Sequence, residues 1–253
     1  MNLEKAKDEF IKYTENYDLE VERIKGKQTH SLRVMKISKQ IAENLELSQE
    51  QIEVATLIGL LHDVARFEQF TQYGTYEDLE SFDHGDFGAE ILKKDIRKYI
   101  ETDGYDDIII KAVKNHNKYK IAEGLTEKER LFAEIVRDAD KIDIFYESVE
   151  MFWNGIEQEV EESKISEDVI EQFNNLCQTK RKKQESAIDN VMRVITFIFD
   201  VNFQPSFQIL KQENYINKII NRYNLKDQYT KQKVEEIRKI ANRYVSENAK
   251  LGE

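Results

Sequence analysis

The chain has 253 residues, a formal net charge of −11, 40% apolar and 34% charged residues, nine glycines and one proline, Pro205. That acidity argues against nucleic acid as a partner, since such proteins normally carry a basic face, and the mix of apolar and charged residues fits amphipathic helices better than disorder. No stretch has the layout of a signal peptide and no apolar run approaches the ~20 residues of a membrane span, so a soluble cytoplasmic protein is expected.

Glycine and proline are both poor in helix interiors, and their scarcity predicts an all-α protein. A first helix is expected over residues 3–17, with Phe10 and Tyr13 on one side. A second covers residues 21–44, where Val34, Ile37 and Ile41 follow the helical period. Ser48 and Gln51 form a capping box. The helix they open carries Val54, Ile58, Leu61 and Ala65 on one stripe and is apolar nearly all round, the mark of a central helix. Residues 71–83 have no clear period and a central glycine, and read as a loop over a site. Further helices are expected over residues 84–100 and 106–116. Thr126 and Glu129 form a second capping box, which opens a helix running toward Met151.

The character changes after Gly155. Residues 156–186 are polar, residues 187–203 are strongly apolar and expected to dock on the core, and the remainder reads as two amphipathic helices with a solvated tail. The expected organisation is a helical core over residues 1–155 with a helical extension, 156–253, packed on it and not independent. The single cysteine, Cys177, excludes an intramolecular disulfide and reads as a small apolar filler.

There are four histidines, His30, His62, His84 and His116, each on or beside an expected helix end or buried face. Any one alone reads as an ordinary histidine with satisfied hydrogen bonds; the case rests on the set. Asp63 follows His62 directly, and neighbours on a helix point about 100° apart, so both can reach a metal lying between helices. A carboxylate has two oxygens and can bridge two cations. Burying it bare beside Leu60 and Leu61 would be costly, and a cation removes that cost; pairing with Arg66 one turn later is the alternative. Asp140 lies on an inward face defined by Val136 and Ile144, while Asp138 and Asp143 read as solvated.

The order His30, His62-Asp63, Asp140 resembles the H…HD…D pattern of the HD superfamily. The tracts LLHDVARFEQF and RDADKIDIF look like its doublet-bearing and final ligand-bearing helices, over roughly residues 20–150. His84 and His116 fall where the two-metal branch has extra ligands. The resemblance implies an all-α HD core. One or two divalent transition-metal ions (Fe, Mn, Co, Ni or Zn) would be held by His30, His62, Asp63 and Asp140, and by Asp63, His84 and His116. It also implies phosphohydrolase chemistry, with a metal-bridging hydroxide attacking a phosphate mono- or diester derived from a nucleotide.

Asp63, Arg66 and Lys141 are the candidate catalytic residues; Arg66, Asn117, Lys118 and Lys141 are the candidate substrate contacts, with ordinary salt bridges as the alternative for the cations. Asn115 reads as a substrate-orienting or helix-capping residue, and Asp86 as one that caps and charges the helix start, with proton donation as the alternative. The competing functions are a mixed-valence di-iron oxygenase with the same six ligands, a non-catalytic nucleotide sensor, and a one-metal nucleotidase in which His84 and His116 bind only substrate. The expected partner is a small phosphorylated molecule, with no membrane; a homo-oligomer stays open.

Overall fold

The computed structural model describes residues 1–150, 156–179 and 185–250, and among these there is no strand. The chain divides into two compact units, residues 1–140 and 141–253. Among the described residues no helix is long and apolar enough to cross a membrane. The helix end expected near Met151, the change at Gly155 and residues 180–184 and 251–253 lie outside the described residues.

The first unit contains α1 (Leu3–Thr14), α2 (Glu22–Asn44), α3 (Gln49–Leu61), α4 (Arg66–Tyr73), α5 (His84–Asp95), α6 (Asp106–Asn115) and the first part of α7 (Glu127–Glu150). Local chemistry sets the starts. Ser48 Oγ accepts from Gln51 N and Gln51 Oε1 accepts from Ser48 N, as the sequence predicts. Thr126 and Glu129 do the same for α7. Caps of this kind are worth about 1 kcal/mol each.

Helix α3 is the buried centre: Val54, Ala55, Leu57, Ile58, Leu60 and Leu61 are all inaccessible or nearly so. It packs against α2 through Gly59, where an added Cβ would lie 2.9 Å from the Val34 carbonyl oxygen. Helices α5 and α6 pair in the same way at Gly85, where a Cβ would lie 2.9 Å from the Lys114 carbonyl oxygen. Phe67 fills the gap under α1, edge-on to Phe10 and Tyr13.

Two expected boundaries shift. Helix α3 stops at Leu61, and residues 62–65 form a turn in which Val64 N donates to Leu61 O and Arg66 N to Asp63 O. Helix α4 then takes residues 71–73 out of the expected loop, and Gly74, at φ +68°, ends it. A left-handed residue after the last turn is glycine's usual place.

The second unit contains the rest of α7, then α8 (Glu157–Glu162), α9 (Glu167–Asn174), α10 (Ala187–Ile195), α11 (Gln204–Glu213), α12 (Tyr215–Asn221) and α13 (Gln228–Asn248). Ile188, Val191, Met192, Val194, Ile195 and Ile198 are buried, in keeping with their apolar run. Among the described residues after 203 there are three helices and not two, because Asn214 takes the left-handed conformation (φ 56°) and turns α11 into α12. Cys177 is exposed, its thiol donating to Asn175 O, and is no core filler.

Candidate metal centre

The four histidines converge in the first unit, all nearly inaccessible. His30 sits within α2, His62 caps the end of α3, His84 opens α5 and His116 caps the end of α6. Their tautomers follow from their partners. His62 Nδ1 lies 2.9 Å from Gly59 O and His116 Nδ1 2.7 Å from Val113 O. A carbonyl only accepts, so both nitrogens carry the proton and Nε2 is left with a lone pair. His84 Nδ1 faces both oxygens of Asp78, at 2.8 and 2.7 Å, and is fixed the same way.

The Nε2 atoms meet at close range: His30 with His62 at 3.2 Å, His84 with His116 at 3.0 Å. For the second pair this sets lone pair against lone pair, a repulsive arrangement that a cation reverses. Two nitrogens bound about 2.1 Å from one ion at right angles lie about 3 Å apart. The donor set therefore fits a metal ion, and the trios His30, His62, Asp140 and His62, Asp63, His116 can each hold one.

Asp63 stands between the pairs. Its Oδ2 lies 3.5 Å from His30 Nε2 and 3.6 Å from His62 Nε2; its Oδ1 lies 3.5 Å from both His84 Nε2 and His116 Nε2. Asp140 Oδ1 approaches His30 Nε2 at 3.1 Å and His62 Nε2 at 3.6 Å. Burial pushes the Asp63 carboxyl up, but Lys27, His62, His116 and Arg66 outweigh it and hold the group well below the usual carboxylate range. Asp140 is depressed likewise, its burial outweighed by His30 and His62. Burial, helped by Arg66, pushes His84 down to about 4, and burial lowers His116. Ionised Asp63 and Asp140 and the His84 and His116 imidazoles that burial keeps from protonating are the forms that bind metal.

The other candidates are engaged with protein partners. Arg66 Nε lies 3.5 Å from Asp63 Oδ1, and its Nη1 donates to Gln69 Oε1, Tyr76 O and Asp78 Oδ1, fastening the segment after Gly74. Asn117 Nδ2 donates to Asp78 and Asp83. Lys118 pairs with Asp83 and Asp86. Lys141, in the second unit, is buried and paired with Asp200 at 2.7 Å. Asn115 Nδ2 donates to Lys111 O and its Oδ1 accepts from Ala122 N, a capping arrangement. Asp138 and Asp143 are both fully buried, contrary to the solvated face expected of them.

Sequence reasoning passed over three residues. Lys27 Nζ lies 2.9 Å from Asp63 Oδ2; its place three residues before His30, on the same helical face, was the available signal. Arg137 is buried and its Nη1 donates to the carbonyls of Asn115, His116 and Lys118, stapling the turn that carries His116. Asp78, behind His84, had no signal beyond an acid in a loop.

Residues 28–144 match the protein family described as HD domain. No curated protein and no solved structure matches the chain significantly.

Proposed function

Because residues 28–144 match the HD-domain family, we propose that the chain belongs to it and is a metal-dependent phosphohydrolase. It cleaves a nucleotide-derived phosphate mono- or diester and uses two divalent transition-metal ions. The observation that carries the two-ion reading is the split of Asp63, one oxygen toward the His30–His62 pair and the other toward the His84–His116 pair. One ion would be held by His30, His62, Asp63 and Asp140, the other by Asp63, His84 and His116. This mixture of imidazole and carboxylate suits Fe, Mn, Co, Ni or Zn better than Mg.

When bound, such ions supply positive charge for the phosphoryl oxygens and acidify a water enough for it to attack phosphorus. The chain's own residues prepare the ground for that chemistry. The Nδ1–H bonds of His62, His84 and His116 hold three imidazoles in the ligating tautomer. Lys27 and Arg66 stand beside opposite oxygens of Asp63 and keep it ionised before any ion arrives. Arg66 is the phosphate contact on which the reading leans, because its guanidinium already reaches the central carboxylate. Asn117 and Lys118 wall the site through Asp78 and Asp83.

The test is to load the protein separately with Mn, Co, Ni, Zn and Fe, count the ions by mass spectrometry, and measure phosphate release from a panel of nucleotides, monoesters and diesters. Two ions per chain with release from at least one class supports the reading. Two ions without release from any of them sinks it, and dioxygen uptake by the iron form would redirect it to oxidative chemistry.

A further inference from the structure

We propose that Asp78 is the positioning residue of the second cation site, fixing the His84 imidazole so that Nε2 is presented beside His116 Nε2 and Asp63 Oδ1; this rests on the two-ion reading above. The comparison with the other histidines makes the case. His62 and His116 each donate Nδ1–H to the carbonyl three residues back in their own helix, Gly59 and Val113. His84 is the first residue of α5, and three residues back lies Ser81, outside the helix. Its own backbone offers no equivalent acceptor, and the Asp78 carboxylate takes that place.

Asp78 is itself held from three directions. Arg66 Nη1 and Gln69 Nε2 donate to Oδ1 at 3.1 and 2.8 Å, and Asn117 Nδ2 donates to Oδ2 at 3.1 Å. Gln69 is fully buried and also donates to Ser81 Oγ and Phe82 O, so the segment between Asp78 and His84 is tied to α4. A carboxylate behind an imidazole fixes the tautomer and strengthens the other nitrogen as a donor to metal.

Asp78→Asn separates this role from loop anchoring. An amide oxygen in the Oδ1 place can still accept from Gln69 and Arg66 and stays 2.8 Å from His84 Nδ1, but it is uncharged, and the NH2 in the Oδ2 place opposes a proton on Nδ1, so the Nε2–H tautomer, which has no lone pair for a cation, gains population. The probes are Mn binding by equilibrium dialysis and 15N-histidine NMR of the metal-free protein, on wild type, Asp78→Asn and Asp78→Glu. Wild type is expected to bind two Mn with His84 protonated on Nδ1. Asp78→Asn should keep one Mn at wild-type affinity, weaken the second about 10- to 100-fold, and raise the share of His84 protonated on Nε2. Asp78→Glu should restore part of the second affinity. Two Mn at wild-type affinity in Asp78→Asn overturns the proposal and leaves the two-ion reading standing. A single Mn in wild type overturns both. Should Asp78→Asn fail to fold, His84 protonated on Nε2 in the metal-free wild type overturns the proposal by itself.

Discussion

The His30–His62 pair and the His84–His116 pair present the same atoms at nearly the same spacing, 3.2 and 3.0 Å, yet they are held differently. The first pair rides on the long α2 and the end of the central α3, packed through Gly59, and the Gly59 carbonyl turns the His62 ring. The second pair sits on the ends of two shorter helices, where His116 leans on the Val113 carbonyl and the rest of the geometry depends on Asp78, Gln69, Asn117 and Arg137. Changing one of those side chains is expected to loosen the second pair without unpacking α5 or α6.

The largest effect is expected where the halves meet. Asp63→Ala removes the carboxylate that both pairs face, and should abolish tight metal binding at both sites together with hydrolysis. Metal counting beside phosphate release checks this; unchanged stoichiometry would end the bridging assignment and with it the division into two linked halves.

Next comes Arg66→Lys, which strikes the second half and the phosphate together. Lysine cannot reproduce the planar fork that reaches Gln69, Tyr76 and Asp78 through one nitrogen while its Nε faces Asp63. Phosphate release should fall ten- to a thousand-fold, about 1.4–4 kcal/mol of transition-state stabilisation, with the first ion retained. Full activity with a lowered melting temperature would assign Arg66 to the loop alone.

The two glycine contacts sharpen the comparison further. Gly59→Ala drives a methyl group toward the Val34 carbonyl, and Gly85→Ala toward the Lys114 carbonyl; backbone cannot swing aside as a side chain does. Each should cost about 1–3 kcal/mol, a fall of roughly 2–4 °C in Tm per kcal/mol for a chain of this size. Each should also weaken its own pair: the first Mn for Gly59→Ala, the second for Gly85→Ala. Equal losses at both sites in either variant would mean that the pairs are one rigid unit.

What was legible in the sequence follows the same division. The capping boxes at Ser48 and Thr126 and the all-round apolarity of α3 are local, and local chemistry decides them. The break after Leu61 was hidden because Val64 and Ala65 continue the apolar stripe although the chain has already turned. The burial of Asp138 and Asp143 was hidden because helical period assigns faces only when one side meets water, and α7 is covered on nearly every side there. Asp78 gains its meaning from residues 66, 69, 84 and 117, which only the folded chain assembles. The histidines and Asp63 stood out because a set of rare side chains in a fixed order carries information that no single one does.

The smallest effect is expected at Lys118, at the rim of the second half. Its ammonium lies 2.6 Å from Asp83 Oδ2 and 3.0 Å from Asp86 Oδ1, with all three side chains partly exposed. Exposed pairs contribute about 0.2–1 kcal/mol and weaken with salt. Asp83 keeps other partners without the lysine, because its Oδ1 accepts from Asp86 N and from Asn117 Nδ2, both at 3.0 Å. The start of α5, and hence the place of His84, should therefore survive Lys118→Ala. The expected result is a Tm decrease that shrinks in high salt, two Mn per chain, and an unchanged KM for p-nitrophenyl phosphate. A raised KM with constant kcat would instead make Lys118 a substrate contact. Loss of the second Mn would show that even the rim of this half is needed to hold it, extending the dependence on side chains further than Asp78.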